Sequence, residues 1–69
     1  MKDLEKKIEM QMRYYTGREY SIEQLADKYY VFSNKFAEAV LEHGDTEEPY
    51  IKKEAAKRLL LERGYGCVK

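Results

Sequence analysis

The chain has one cysteine, one histidine, one proline and no tryptophan in 69 residues. Each shortage removes a class of function. Cys67 has no second cysteine to pair with, so no intramolecular disulfide forms; a lone thiol without a secretory segment fits a reducing compartment. An incidental thiol on an irregular tail is the expected role of Cys67, with an intermolecular disulfide as the alternative. A four-ligand zinc site needs soft or nitrogen donors, and His43 and Cys67 supply two at most. Hydrolases and transferases need a nucleophile, a base and a group that holds them. Here a single imidazole stands among few hydroxyls, and His43 reads as a half-buried structural residue near a helix end. The four glycines are scattered at expected helix ends, so no phosphate-cradling loop is present. The acids Glu42, Asp45, Glu47 and Glu48 lack the ligand spacing and turn glycine of a calcium loop. A protein without enzymatic activity, catalytic residues, metal or cofactor is expected.

Long apolar runs are missing as well. The longest, Tyr29-Tyr30-Val31-Phe32, is far too short to span a bilayer. The stretch Met1 to Lys7 is charged where a signal peptide needs apolar residues. A soluble, cytoplasmic protein that does not engage membranes is expected. Net charge is zero, from 13 basic and 13 acidic residues, which leaves no global pull on nucleic acid or anionic lipid. The balance is uneven along the chain: residues 1–49 carry 7 basic and 11 acidic groups, residues 50–69 carry 6 basic and 2 acidic.

What the chain does have is helical periodicity, over a length that leaves room for one domain, residues 1–69. Leu4, Ile8, Met12 and Tyr15 share one helical face and predict a helix from about Asp3 to Tyr15, with Asp3 at its start and Gly17 as its stop. Ser21 and Gln24 form the sequence of a capping box, predicting a second helix that opens at Ser21 and ends at Gly44. Its apolar arc comprises Ile22, Leu25, Ala26, Tyr29, Phe32, Phe36, Ala39 and Val40. Asp45-Thr46-Glu47-Glu48-Pro49 suits a third helix start, because proline is tolerated in the first turn and acids favour the positive end of the helix dipole. Ile51, Ala55, Ala56, Leu59 and Leu60 form its apolar side, and it ends at Gly64 with Arg63 in the last turn. The tail from Tyr65 to Lys69 is expected to be irregular. The fold class is therefore all-α, a compact three-helix domain with a long central helix.

Residues 21–65 also carry a pattern of another kind. Ser21-Ile22-Glu23-Gln24-Leu25-Ala26-Asp27-Lys28-Tyr29-Tyr30-Val31, followed by Phe36 and Ala39-Val40, resembles a DNA-binding helix-turn-helix of the lactose-repressor-type headpiece. Ala26 and Phe36 match two of its marked positions, and Leu25, Tyr29, Val31 and Ala39 match other apolar ones. Tyr50 to Tyr65, ending in Arg63-Gly64-Tyr65, is similar to the third helix of that family. The turn position, glycine in the family, carries Tyr30. The resemblance implies base readers at Ser33, Asn34 and Lys35 and phosphate contacts at Lys52, Lys53, Lys57 and Arg58. Glu38 and Glu42 on that recognition helix would face a polyanion, so nucleic acid is the disfavoured partner.

The other reading makes Ser21 to His43 one unbroken helix, with Phe32 inward and Val31 outward; the helix-turn-helix requires the reverse. Burying the larger Phe32 contributes more, on the order of 2 to 3 kcal/mol for a full side chain, and favours the unbroken helix. Tyr30 and Val31 then stand outside, framed by Asn34, Lys35 and Glu38, as an aromatic and aliphatic anchor with a polar rim. Met10 and Tyr14 on the first helix, and Leu61 beside Tyr50 and Lys57 on the third, are further surface candidates. The expected function is docking onto a protein partner, as an adaptor or stoichiometric inhibitor of the kind phages and mobile elements encode. A helix-turn-helix regulator is the alternative, and a homodimer is compatible with both.

Overall fold

A computed structural model describes residues 2–64, and the expected tail with Cys67 lies outside the described residues. Three helices follow in order: α1 (Lys2–Gly17), α2 (Ile22–Glu42) and α3 (Glu47–Glu62). The all-α, three-helix architecture read from periodicity is the one observed. None of these helices is long and apolar enough to cross a membrane.

Local chemistry sets the helix starts. The Ser21 hydroxyl accepts from the Gln24 N–H at 3.2 Å, and the Gln24 side-chain oxygen accepts from the Ser21 N–H at 2.9 Å. This reciprocal pair satisfies two donors that a helix start otherwise leaves orphaned. At α3, Asp45 Oδ1 accepts from the Glu47 N–H at 3.0 Å, with Glu47 and Glu48 in the first turn.

The helix ends differ from the expected glycine stops. At the end of α2 the Gly44 N–H donates to the Ala39 carbonyl at 2.8 Å and the His43 N–H to Val40 at 3.3 Å. This is a Schellman arrangement, and its left-handed residue is His43, at φ 57°, rather than Gly44. His43 is therefore an exposed cap and not the half-buried structural histidine the sequence suggested. Likewise α1 runs on to Gly17, two residues beyond Tyr15, and the left-handed turn is made by Glu19 at φ 57°. Of the glycines among the described residues, only Gly64, at φ 83°, has the positive φ that glycine favours.

Packing is organised by α3. It lies against both α1 and α2, while α1 and α2 barely touch one another. The buried core comprises Ile8 and Tyr15 from α1, Leu25 from α2, and Ala55, Ala56, Leu59 and Leu60 from α3. Leu4, Met12, Tyr20, Ala26, Tyr29, Tyr50 and Ile51 cover it. The expected faces of α1 and α3 are thus the ones buried, whereas α2 contributes only its first half. Ile22 and Val40 are exposed, and Phe32, Phe36 and Ala39 are half-buried outside the core. The reason is geometric. The far half of α2 meets only the start of α3, Phe32 against Lys52 and Phe36 against Tyr50 and Lys53, and α1 packs on α3 while barely touching α2.

One buried polar atom stands out. The Tyr15 hydroxyl, in a side chain only 3% exposed, has no hydrogen-bond partner. Burial pushes its pKa up to about 12, while the nearby Gln11 side chain acts in the opposite direction without closing a hydrogen bond of good geometry.

Candidate functional site

The continuity of α2 through Tyr30 decides which side chains face outward. Tyr30 is 68% exposed and Val31 36%, while Phe32 turns toward α3 and is half-buried. Asn34, Lys35 and Glu38 are exposed on the same helix. The five residues expected to bind a partner therefore share the outward surface of one rigid element, as the unbroken helix requires.

That surface holds more than the sequence reading found. Leu41 is 79% exposed and Val40 49%, and Ala37 is exposed between them and Tyr30. At 3.6 residues per turn, Tyr30, Asn34, Ala37 and Leu41 fall within an arc of roughly 60°. Their spacing of four, three and four was a legible signal. It was missed because the inward arc from Ile22 to Val40 absorbed the apolar count.

The candidate nucleic-acid residues have different surroundings. Ser33 is half-buried, and Asn34 and Lys35 are exposed. Lys52 pairs with Glu48 at 3.2 Å and lies over the Phe32 ring, 5.2 Å from its centroid. Lys53 is more enclosed: its ammonium pairs with Glu54 at 3.2 Å and caps the rings of Phe36 at 5.4 Å and Tyr50 at 4.8 Å. Arg58 makes a two-pronged contact with Glu5 on α1, at 2.8 and 2.9 Å, and approaches Glu54 at 3.8 Å. The Arg58 hydrogen bonds hold the Glu5 carboxyl below its ordinary pKa and raise that of the guanidinium. Among the described residues, Lys57 is the one of these four α3 cations that is exposed and makes no ion pair. The basic run seen in the sequence is thus largely an inter-helix fastening.

The remaining surface candidates separate. Met10 and Tyr14 are exposed and line an open groove of about 620 Å³ with Ile51 and Lys52 between α1 and the start of α3. Leu61 is exposed, whereas Tyr50, expected beside it on the charged side, is half-buried against the core. Among the described residues, no three His, Cys, Asp or Glu side chains gather closely enough to hold a metal ion. No protein-family model, curated protein or solved structure matches this chain.

Proposed function

We propose that this chain is a non-enzymatic cytoplasmic binding protein that docks onto a protein partner through the outward face of α2. It acts as an adaptor or as a stoichiometric inhibitor of the phage or mobile-element kind. The observation that carries the reading is the exposure of Tyr30 and Val31 side by side on an unbroken, capped helix. An exposed tyrosine on a rigid element offers large contact area at small entropic loss, and Asn34, Lys35 and Glu38 supply a polar rim. The helix-turn-helix alternative draws less support, because Lys52, Lys53 and Arg58 are already engaged with carboxylates of this chain.

The test is capture from nuclease-treated host lysate by the full chain, alongside a Tyr30→Ala, Val31→Asp double variant. The expected result is a protein retained by the parent and lost by the variant, with the helical circular-dichroism signal unchanged. Capture that disappears on nuclease treatment would favour the DNA-binding alternative. A solution mass measurement on the same samples reads out whether the chain is a homodimer.

A further inference from the structure

We infer that the outward face of α2 receives a cationic amphipathic helix of another protein, apolar along one seam and edged by lysine or arginine. The inference rests on the docking reading above and names the chemistry of the partner. Tyr30, Asn34, Ala37 and Leu41 follow the four-three-four spacing with which one helix seats against another. Tyr30 and Leu41, at 68% and 79% exposure, are the two knobs of that seam, and nothing among the described residues covers them. Asn34 between them is the kind of polar group that fixes register in such contacts.

Charge selects the occupant. Asp27, Glu38 and Glu42 run along one edge of the seam, all exposed, with Glu23 at its N-terminal end. Every ion pair among the described residues is made within or between α1 and α3, so none of these carboxylates is committed. Glu38 and Glu42 open onto a groove of about 490 Å³ that also receives Asp45 and Glu48. Its cations are Lys35 and Lys52, and Lys52 is already held by Glu48 and the Phe32 ring. A polyanion is repelled from this face. A second copy meets it poorly, because α2 has no cationic edge to offer: Lys28 lies over the Tyr20 ring, which leaves Lys35 alone. An apolar ridge edged by lysine or arginine fits both the seam and the charge.

Two synthetic helical peptides test this, each with leucine at heptad positions a and d. One carries lysine at e and g, the other glutamate, and both are titrated against the full chain by fluorescence anisotropy. The lysine peptide is expected to bind at least about tenfold more tightly, a preference that weakens with added salt. Leu41→Ser, at a position too exposed to matter for folding, should weaken it by about tenfold. Asp27→Lys with Glu38→Lys should reverse the preference, whereas Glu9→Lys with Glu62→Lys, on α1 and α3, should leave it unchanged. Equal binding of the two peptides overturns the inference. So does a control variant that weakens binding as much as the α2 variant, or a dimer in solution that Leu41→Ser dissociates. Lysate capture that still depends on Tyr30 and Val31, without any peptide preference, removes the partner chemistry and leaves the docking reading standing. Capture indifferent to Tyr30 and Val31 removes the docking reading itself.

Discussion

The rings of Phe36 and Tyr50 meet with centroids 5.7 Å apart and planes tilted by 48°, under the shared cap of the Lys53 ammonium. This contact joins the far end of α2 to the start of α3, and it lies outside the buried core. The apolar arc of α2 counts Phe36 among its inward residues, and a fully buried phenylalanine cut back to alanine costs roughly 3 to 5 kcal/mol. Half-buried at an aromatic edge, it contributes less. Phe36→Ala should destabilise by about 1 to 2 kcal/mol, the scale of an aromatic pair plus partial burial. Leu25→Ala, at a position with 0% exposure, should cost about 2 to 5 kcal/mol. Urea denaturation of both variants checks the order, and a Phe36→Ala midpoint at or below that of Leu25→Ala would place Phe36 in the core after all.

Tyr15 makes stability sensitive to alkali. Its pKa rises from the ordinary 10 to about 12 on folding, so the folded state holds the phenolic proton more tightly than the unfolded state does. Below pH 10 both states are protonated and the contribution is intact. As pH climbs from 10 toward 12 the unfolded state ionises first, and stability falls by about 1.4 kcal/mol per unit. Tyr15→Phe should remove that part of the alkaline slope. At neutral pH the variant should gain about 1 kcal/mol, because it deletes a buried hydroxyl that has no partner. Denaturant melts of parent and variant at neutral and alkaline pH make the comparison. An unchanged slope would show that Tyr15 is not the group responsible.

At the end of α2 the left-handed residue is His43, one position before the glycine that could occupy that conformation without strain. His43→Gly should therefore stabilise the fold by about 1 kcal/mol, the usual left-handed penalty for a residue with a Cβ. Gly44→Ala should be nearly neutral, since an added Cβ would meet only the Ala39 carbonyl at 4.0 Å. Thermal melts resolve both effects, and a destabilised His43→Gly would mean that the imidazole makes a contact worth more than the relieved strain.

Duplex DNA should bind weakly, without sequence preference, and not at near-physiological salt. The cations on α3 are mostly paired within the fold, and α2 presents Glu38 and Glu42. The useful variants are Lys35→Ala and Lys57→Ala, both at exposed positions. Reversing Lys53 would also strip the cap from Phe36 and Tyr50 and set a new carboxylate beside Glu54, which confounds binding with unfolding. Titration of operator-length duplexes at low and near-physiological salt checks this. Sequence-selective binding that survives the higher salt and is lost in Lys35→Ala would restore Ser33, Asn34 and Lys35 as base readers.

The legibility of this protein divides by range. The Ser21 and Gln24 capping box, the acidic start of α3, and the buried faces of α1 and α3 could all be read in advance, because each rests on residues within a few positions of one another. The outward position of Val31 followed in the same way from the period of an unbroken helix. Leu41 is legible in the same way, since it continues the outward spacing of Tyr30, Asn34 and Ala37.

Other features turned on partners far away in the chain. Nothing near Lys52, Lys53 or Arg58 in sequence announces that Phe32, Phe36 and Glu5 occupy them, because those contacts form only when α1 and α2 are laid against α3. The wide apolar arc of α2 gave no sign of where burial would stop, because burial depends on which helices lie against each turn, and α1 barely touches α2. Composition and local hydrogen bonding determined three helices and the starts of α2 and α3. Tertiary packing alone decided that α3 would be the hub, that Lys52, Lys53 and Arg58 would reach across to Phe32, Phe36 and Glu5, and that Val40 and Leu41 in the second half of α2 would stay exposed beside Glu38 and Glu42.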